Sequence, residues 1–163
     1  DPRAVRIDLE AKETRWEVAP GVSIDGFAYN GQVPGPVLQV KQGVPLEIRF
    51  TNSLSEATLI HWHGLRIPAA MDGTQSTQRP VEPGETFIYR FTPPDAGTFW
   101  YHPHQRTFEQ SGRGLHGALI HEEVALAHVE QEIDRVGRDQ GGEQGGAAGA
   151  AGPAGPTAWA GRD

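Results

Sequence analysis

The chain predicts an all-β sandwich or barrel, on two observations. Several segments alternate apolar and polar residues with a period of two, and turn-forming dipeptides separate them at short intervals. No convincing helical pattern interrupts this text before about Glu123. A period of two marks a strand with one face buried, and many short strands without helices pack as two sheets or a closed barrel.

Val5, Ile7 and Leu9 open the pattern. Val44, Leu46, Ile48 and Phe50 repeat it, and so do Phe87, Tyr89 and Phe91. Further strands are expected over Pro36–Val40, Ala57–His63, Gly97–His102 and Leu115–Glu122. The punctuation is Asn30-Gly31, Pro34-Gly35-Pro36, Asp72-Gly73, Pro83-Gly84 and Pro93-Pro94-Asp95. Glycine and asparagine supply positive φ in such turns, and proline fixes φ. From Glu122 to Val136 the residues Leu126, Val129, Ile133 and Val136 fall at helical spacing, with Arg135 and Arg138 placed late to suit the helix dipole. A short helix is expected over 124–136. Residues 137–163 are rich in Gly, Ala and Pro, bury too little apolar surface to offset ordering entropy, and are expected to be disordered.

Composition sets bounds on function. The 163 residues suit one domain of ordinary size, with 37% hydrophobic and 8% aromatic residues. The net charge of −7 and the lack of a basic stripe argue against a nucleic-acid binder. No apolar run reaches the roughly 18 to 20 residues of a membrane span. The chain opens with Asp1-Pro2-Arg3 and no apolar leader, which fits either a removed signal peptide or a cytosolic protein. With no cysteine, iron–sulfur clusters, thiolate zinc sites and a Cys-ligated blue-copper centre are excluded for this chain.

The chemistry sits in two His-X-His pairs, His61-Trp62-His63 and His102-Pro103-His104. Residues i and i+2 of a strand share a face, so each pair presents two imidazoles on one side. Neutral imidazole is a common ligand for copper, zinc, iron and nickel. Four such groups point to a metal site, against the bland alternative of unliganded surface or core histidines. His116, His121 and His128 have no partner at ligand spacing and are expected at the surface. Asp72 follows the first pair by a short loop and precedes Gly73, where Asp-Gly is also a favoured turn. Trp62 and Trp100 flank ligand positions and are expected to point away from the histidines into the core. Met71 is a thioether, yet without a cysteine or further histidines near it a packing role is expected.

These residues resemble a known family. Tyr29-Asn-Gly-Gln-Val-Pro-Gly-Pro36, then Gly43 and Thr51-Asn52, is similar to the opening of a multicopper oxidase of the laccase and bilirubin-oxidase kind. Ile60-His-Trp-His-Gly-Leu65, Met71-Asp-Gly73, Pro83-Gly84, Tyr89-Arg-Phe91, Gly97-Thr-Phe-Trp-Tyr-His-Pro-His104 and Gly114-Leu-His-Gly-Ala-Leu-Ile120 continue the match. The resemblance covers roughly residues 25 to 123. It implies a cupredoxin-like Greek-key β-sandwich over residues 1–123, the first domain of such an enzyme, which supplies half the ligands of a trinuclear copper cluster that reduces dioxygen.

Carried over by position, His61 would serve the type 2 copper, His63 and His102 one type 3 copper, and His104 the other. Asp72 matches an acid that passes protons near the type 2 copper and orients the site. The resemblance further implies dioxygen and a reducing substrate as partners, and a periplasmic or extracellular location. The family's His-X-X-His-X-His and His-Cys-His blocks do not occur in the 163 residues. A truncated or frameshifted copy, or a split subunit completed by further cupredoxin domains or a complementing chain, is therefore expected, inactive alone. The alternative function is a non-enzymatic copper-binding module for storage or delivery. A cupin-like barrel would want an acid soon after His-X-His, where Gly64-Leu65-Arg66-Ile67 stands. A copper nitrite reductase would need a cysteine.

Overall fold

A computed structural model describes residues 1–123, and the expected helix over 124–136 and disordered tail over 137–163 lie outside the described residues. Eight strands form two four-stranded sheets. They are β1 (Val5–Ala19), β2 (Val22–Tyr29), β3 (Leu38–Lys41), β4 (Leu46–Ser53), β5 (Ile60–His63), β6 (Thr86–Phe91), β7 (Gly97–Pro103) and β8 (Gly117–Glu122). One sheet runs in the order β2-β1-β4-β6 and the other in the order β3-β8-β7-β5. The arrangement is a β-sandwich, as the alternation predicts, and of the cupredoxin-like kind that the resemblance implies.

The alternating segments turn most of their apolar residues inward, though Val5 at the start of β1 stays exposed. Leu46, Ile48 and Phe50 of β4 and Tyr89 and Phe91 of β6 meet Leu38, Val40, Trp62, Tyr101 and Leu119 from the second sheet in one core. Trp62 is the largest buried side chain; its ring lies 5.3 Å from Tyr89 and 5.4 Å from Phe91, across the sandwich. Truncating such a ring costs about 3–5 kcal/mol. Among the described residues, no helix is long and apolar enough to cross a membrane.

The structure departs from the sequence expectation in three places. β1 runs to Ala19 and pairs antiparallel with β2, a strand not anticipated because Val22, Ile24 and much of its first half stay exposed. A single helical turn and a half, α1 (Thr107–Gly112), follows β7. It carries no apolar stripe and is pinned instead by buried Gln110, which accepts a bond from Thr58 Oγ1 at 2.8 Å and donates to Ala57 O at 3.0 Å. The turn glycines fall as expected: Gly31, Gly73 and Gly84 all have positive φ.

Asn52 shows how the family-like positions outside the histidines serve architecture. Fully buried, it donates through Nδ2 to Glu56 O at 2.9 Å and Val81 O at 2.8 Å, and its Oδ1 accepts from Leu54 N at 3.0 Å. Asn52→Ala should destabilise the domain by about 2–4 kcal/mol, since three buried bonds vanish and two carbonyls and an amide lose a partner. Urea unfolding of the two proteins measures this, and a change under 1 kcal/mol would show that solvent replaces those bonds.

Candidate metal centre

β5 and β7 lie side by side and antiparallel, with His61 opposite His102, Trp62 opposite Tyr101 and His63 opposite Trp100. Side chains of opposed residues share a face. His61, His63 and His102 therefore emerge on the same side, while Trp62 and Tyr101 enter the core. His104 lies one residue beyond the end of β7, in the bend that leads to α1. All four rings converge on His61, with centroids at 5.6 Å for His63, 5.4 Å for His102 and 5.2 Å for His104. Ligand atoms of His61, His63 and His102 lie within 4.8 Å of one another, close enough to serve one ion.

The tightest approach is His63 Nδ1 to His102 Nε2, at 3.2 Å. Two nitrogens each about 2.0 Å from one ion at a tetrahedral angle stand roughly 3.3 Å apart. The pair thus has the spacing of two ligands on a shared metal.

Main-chain carbonyls fix two of the tautomers. His61 Nδ1–H donates to Asp72 O at 2.7 Å, and His102 Nδ1–H to Pro103 O at 2.9 Å. Each bond leaves Nε2 with its lone pair free toward the cluster. Asp72 is thus beside His61, but the contact of hydrogen-bond length is its carbonyl. Its carboxylate Oδ2 is 3.6 Å from the same nitrogen, too far for a direct bond, and the side chain is partly exposed. Gly73 holds this arrangement in place. It is buried with φ of 72°, and a Cβ there would overlap the Ile60 carbonyl. Only glycine lets the loop press against β5 and deliver the Asp72 carbonyl to His61.

Two sequence expectations need correction. Trp100 does not point away from the histidines: at i−2 from His102 it shares that residue's face, and its indole stacks on the His102 ring with centroids 4.0 Å apart and 25° between planes. It remains 42% exposed. His121 is not a surface residue. It is buried on β8, its Nδ1 donates to Asp95 O at 3.1 Å, and its Nε2 has no partner among the described residues. A lone histidine within an apolar strand run gave no sign of this in the sequence. His116 is half-buried and His128 lies outside the described residues. Met71 packs against the core, as expected.

Around the centre, Arg66 just past β5 makes a two-pronged ion pair with Asp95 just before β7, at 2.8 and 2.6 Å. The guanidinium holds the Asp95 carboxyl below its usual range. The pair ties the loop after β5 to the loop before β7, and its exposure keeps its contribution small.

The chain has relatives of one family in sequence and in structure. The sequence profile of multicopper oxidases matches residues 10–124. Copper resistance protein A of Escherichia coli is 38% identical over 119 residues, which are 72% of this chain and 19% of that protein. Multicopper oxidase MCE of Talaromyces pinophilus is 43% identical over 102 residues, 61% of this chain and 17% of that one. A crystal structure of a multi-copper oxidase from Pseudomonas thermotolerans superposes with a TM-score of 0.71 at 48% identity, covering 74% of this chain and 30% of that one. A Campylobacter jejuni multicopper oxidase described as a metallo-oxidase superposes with a TM-score of 0.69 at 40% identity, covering 78% and 28%. Together, fold and relatives define a copper-binding oxidase domain of the cupredoxin type. The chain belongs to the multicopper oxidase family, and it spans about a fifth of the length of the curated relatives it matches.

Burial sets the acid behaviour of the metal-free domain. Burial pushes the His102 pKa down to about 4, helped by the neighbouring histidines, and also lowers that of His121. Free imidazole titrates near 6.5, so below that pH the unfolded chain binds protons that the folded chain refuses. Stability is then full above about pH 6.5 and falls as pH drops toward 4. The carboxyls lowered by their partners, such as Glu47 and Glu85, withdraw their contribution only below about pH 4.5. Urea midpoints should therefore fall between pH 7 and 5 through the histidines. His121→Asn should flatten that limb, and an unchanged slope would place the linkage elsewhere.

Proposed function

We propose that this domain supplies His61, His63, His102 and His104 as half of the ligand set of a trinuclear copper cluster, in an oxidase that couples oxidation of a reducing substrate to reduction of dioxygen. The observation that carries this is the convergence of four imidazoles from two paired segments, with His63 Nδ1 and His102 Nε2 held 3.2 Å apart. In this assignment His63 and His102 serve one type 3 copper, His104 the other, and His61 the type 2 copper. The donor set fits copper: only neutral nitrogen ligands, two of them with tautomers already fixed. Copper bound here supplies one-electron redox chemistry and a site for oxygen.

The chain's own residues do the positioning. The Asp72 carbonyl keeps the proton of His61 on Nδ1, and the Pro103 carbonyl does the same for His102. Burial pushes the His102 pKa down to about 4, so near neutral pH it gives up no proton when it takes a metal. The Asp72 carboxylate, 3.6 Å from His61 and open to solvent, is placed to hold or pass a proton through a water. His63 and His104 are exposed, which leaves room for ligands from further cupredoxin domains or a complementing chain. The same exposure favours one rival reading, a copper-binding module for storage or delivery, because exposed ligands let an ion exchange. A periplasmic or extracellular setting, as the resemblance implies, suits either.

Copper titration of the 163-residue protein by calorimetry tests the ligand set. His61→Ala and His102→Ala should each weaken binding at least about tenfold. Asp72→Ala should cost on the order of tenfold or less, because the carbonyl remains when the carboxylate goes. Equal affinity in both histidine variants, or loss of affinity on changing His116 or His121 instead, would move the site elsewhere. Total loss in Asp72→Ala would make the carboxylate itself a ligand.

Activity separates the oxidase from its rival. The copper-loaded 163 residues should show no intense visible thiolate-to-copper band and no sustained oxygen uptake with a phenolic donor, since no cysteine is present to relay electrons. Adding the remaining domains of a multicopper oxidase should restore uptake. Copper binding that such domains never convert into turnover would favour storage or delivery.

A further inference from the structure

The third and fourth imidazoles lack what the first two have. His61 and His102 are each oriented by a carbonyl on Nδ1. His63 has no such bond: its one close polar approach among the described residues is Nδ1 to His102 Nε2, the two atoms that would face an ion. It is exposed, it ends its strand, and Gly64 with φ of 89° follows it. A ring so placed has free rotamer choice unless something packs on it.

Trp100 is that something. It is the cross-strand partner of His63 and the same-face neighbour of His102. Its indole stacks on His102 at 4.0 Å with 25° between planes, and lies against His63 at 5.0 Å, tilted by 34°. The His63 and His102 rings are themselves 5.4 Å apart with 42° between planes. One rigid bicyclic ring therefore lies against both imidazoles while remaining 42% exposed. Aromatic pairs at such separations contribute beyond the area they bury. The indole does not serve the sandwich interior, which Trp62 and Tyr101 fill from the opposite face.

We infer that Trp100 is a positioning residue for the metal pair: its indole clamps the His63 ring against the fixed His102 ring and so sets the 3.2 Å gap between their ligand nitrogens. The inference rests on the proposed ligand set and adds a residue to it. Among the described residues the Trp100 indole makes no hydrogen bond; in this role its packing replaces, for His63, the hydrogen bond that His61 and His102 receive from the main chain.

The test uses Cu(II) alone and the full chain. Trp100→Ala and Trp100→Phe are titrated calorimetrically beside the wild type, thermal unfolding of the metal-free proteins is recorded, and copper paramagnetic resonance reports the ligand field. Trp100→Ala should weaken Cu(II) binding about 10- to 100-fold, the range seen when an orienting partner of a metal ligand is removed. It should change the resonance spectrum and leave the metal-free melting temperature nearly unmoved. Trp100→Phe should recover most of the affinity. In a His63→Ala background, Trp100→Ala should cost much less than it does alone, because its effect runs through His63. Wild-type affinity and an unchanged spectrum in Trp100→Ala, while His102→Ala still abolishes binding, would overturn the clamp and leave the ligand set standing. Equal losses in the presence and absence of His63, or a melting temperature that falls in step with affinity, would likewise reduce Trp100 to a structural residue. No Cu(II) binding to these histidines in the wild type would overturn both.

Discussion

The pairing register of β5 with β7 governs everything the domain does chemically, because it alone decides that His61 faces His102 and that His63 faces Trp100. A slip by one residue would turn every side chain of one strand to the other face. What prevents it is on the reverse side of the same strands. Trp62 and Tyr101 are fully buried, their rings are 5.9 Å apart, and the Tyr101 hydroxyl donates to Pro36 O at 2.7 Å. Gly117 on β8 sits directly under the Tyr101 ring, where any Cβ would collide with it. Displacing two large aromatics from such a seat would cost several kcal/mol each. The histidines thus take their precision from the core, through the two-residue alternation that links the two faces.

A second economy lies in how the rings are oriented. Two of the four are fixed by peptide carbonyls, which no substitution of a side chain removes. The carbonyl of Pro103 is next in sequence to His102, so its placement follows from the strand itself. That of Asp72 comes from a loop, and its delivery depends on Gly73 packing where no other residue fits against Ile60. Asp-Gly in this place is a turn, a spacer and a donor of one carbonyl at once. The carboxylate of Asp72 stays 3.6 Å from His61, beyond direct hydrogen-bond length.

Much of this was legible in the sequence, and the rest was hidden for identifiable reasons. Strands β4 and β6 announce themselves because Leu46, Ile48, Phe50, Tyr89 and Phe91 alternate cleanly against one core. The histidine pairs are legible for the same reason, since spacing by two fixes a shared face. β2 was not, because its Val22, Ser23 and Ile24 are exposed and its burial begins only at Gly26. The helix α1 is too short for periodicity and is anchored by a buried amide, Gln110, where apolar residues would be sought. The face of Trp100 was legible from the same count of two that places His102, but a tryptophan beside a ligand invites a core assignment. His121 shows the limit of pattern reading, since its partner is a main-chain carbonyl from another loop.

The sandwich core closes without any contribution from the histidine cluster, and this bears on how a metal would act here. Among the described residues, eighteen buried apolar residues form one cluster that draws on both sheets. In small zinc domains the ion supplies the folding free energy, so the metal-free chain is unfolded. Here the strands, the carbonyl bonds to His61 and His102 and the 3.2 Å approach of His63 to His102 all exist in the protein scaffold itself. Binding need not fund folding, and the ordering entropy of the ligands has been met by the core in advance. Burial grades across the cluster, from buried His102 on β7 through half-buried His61 to exposed His63 and His104. His102 is therefore the fixed reference and the outer histidines the adjustable part, and an indole laid over His63 has the most rotamer freedom to remove there.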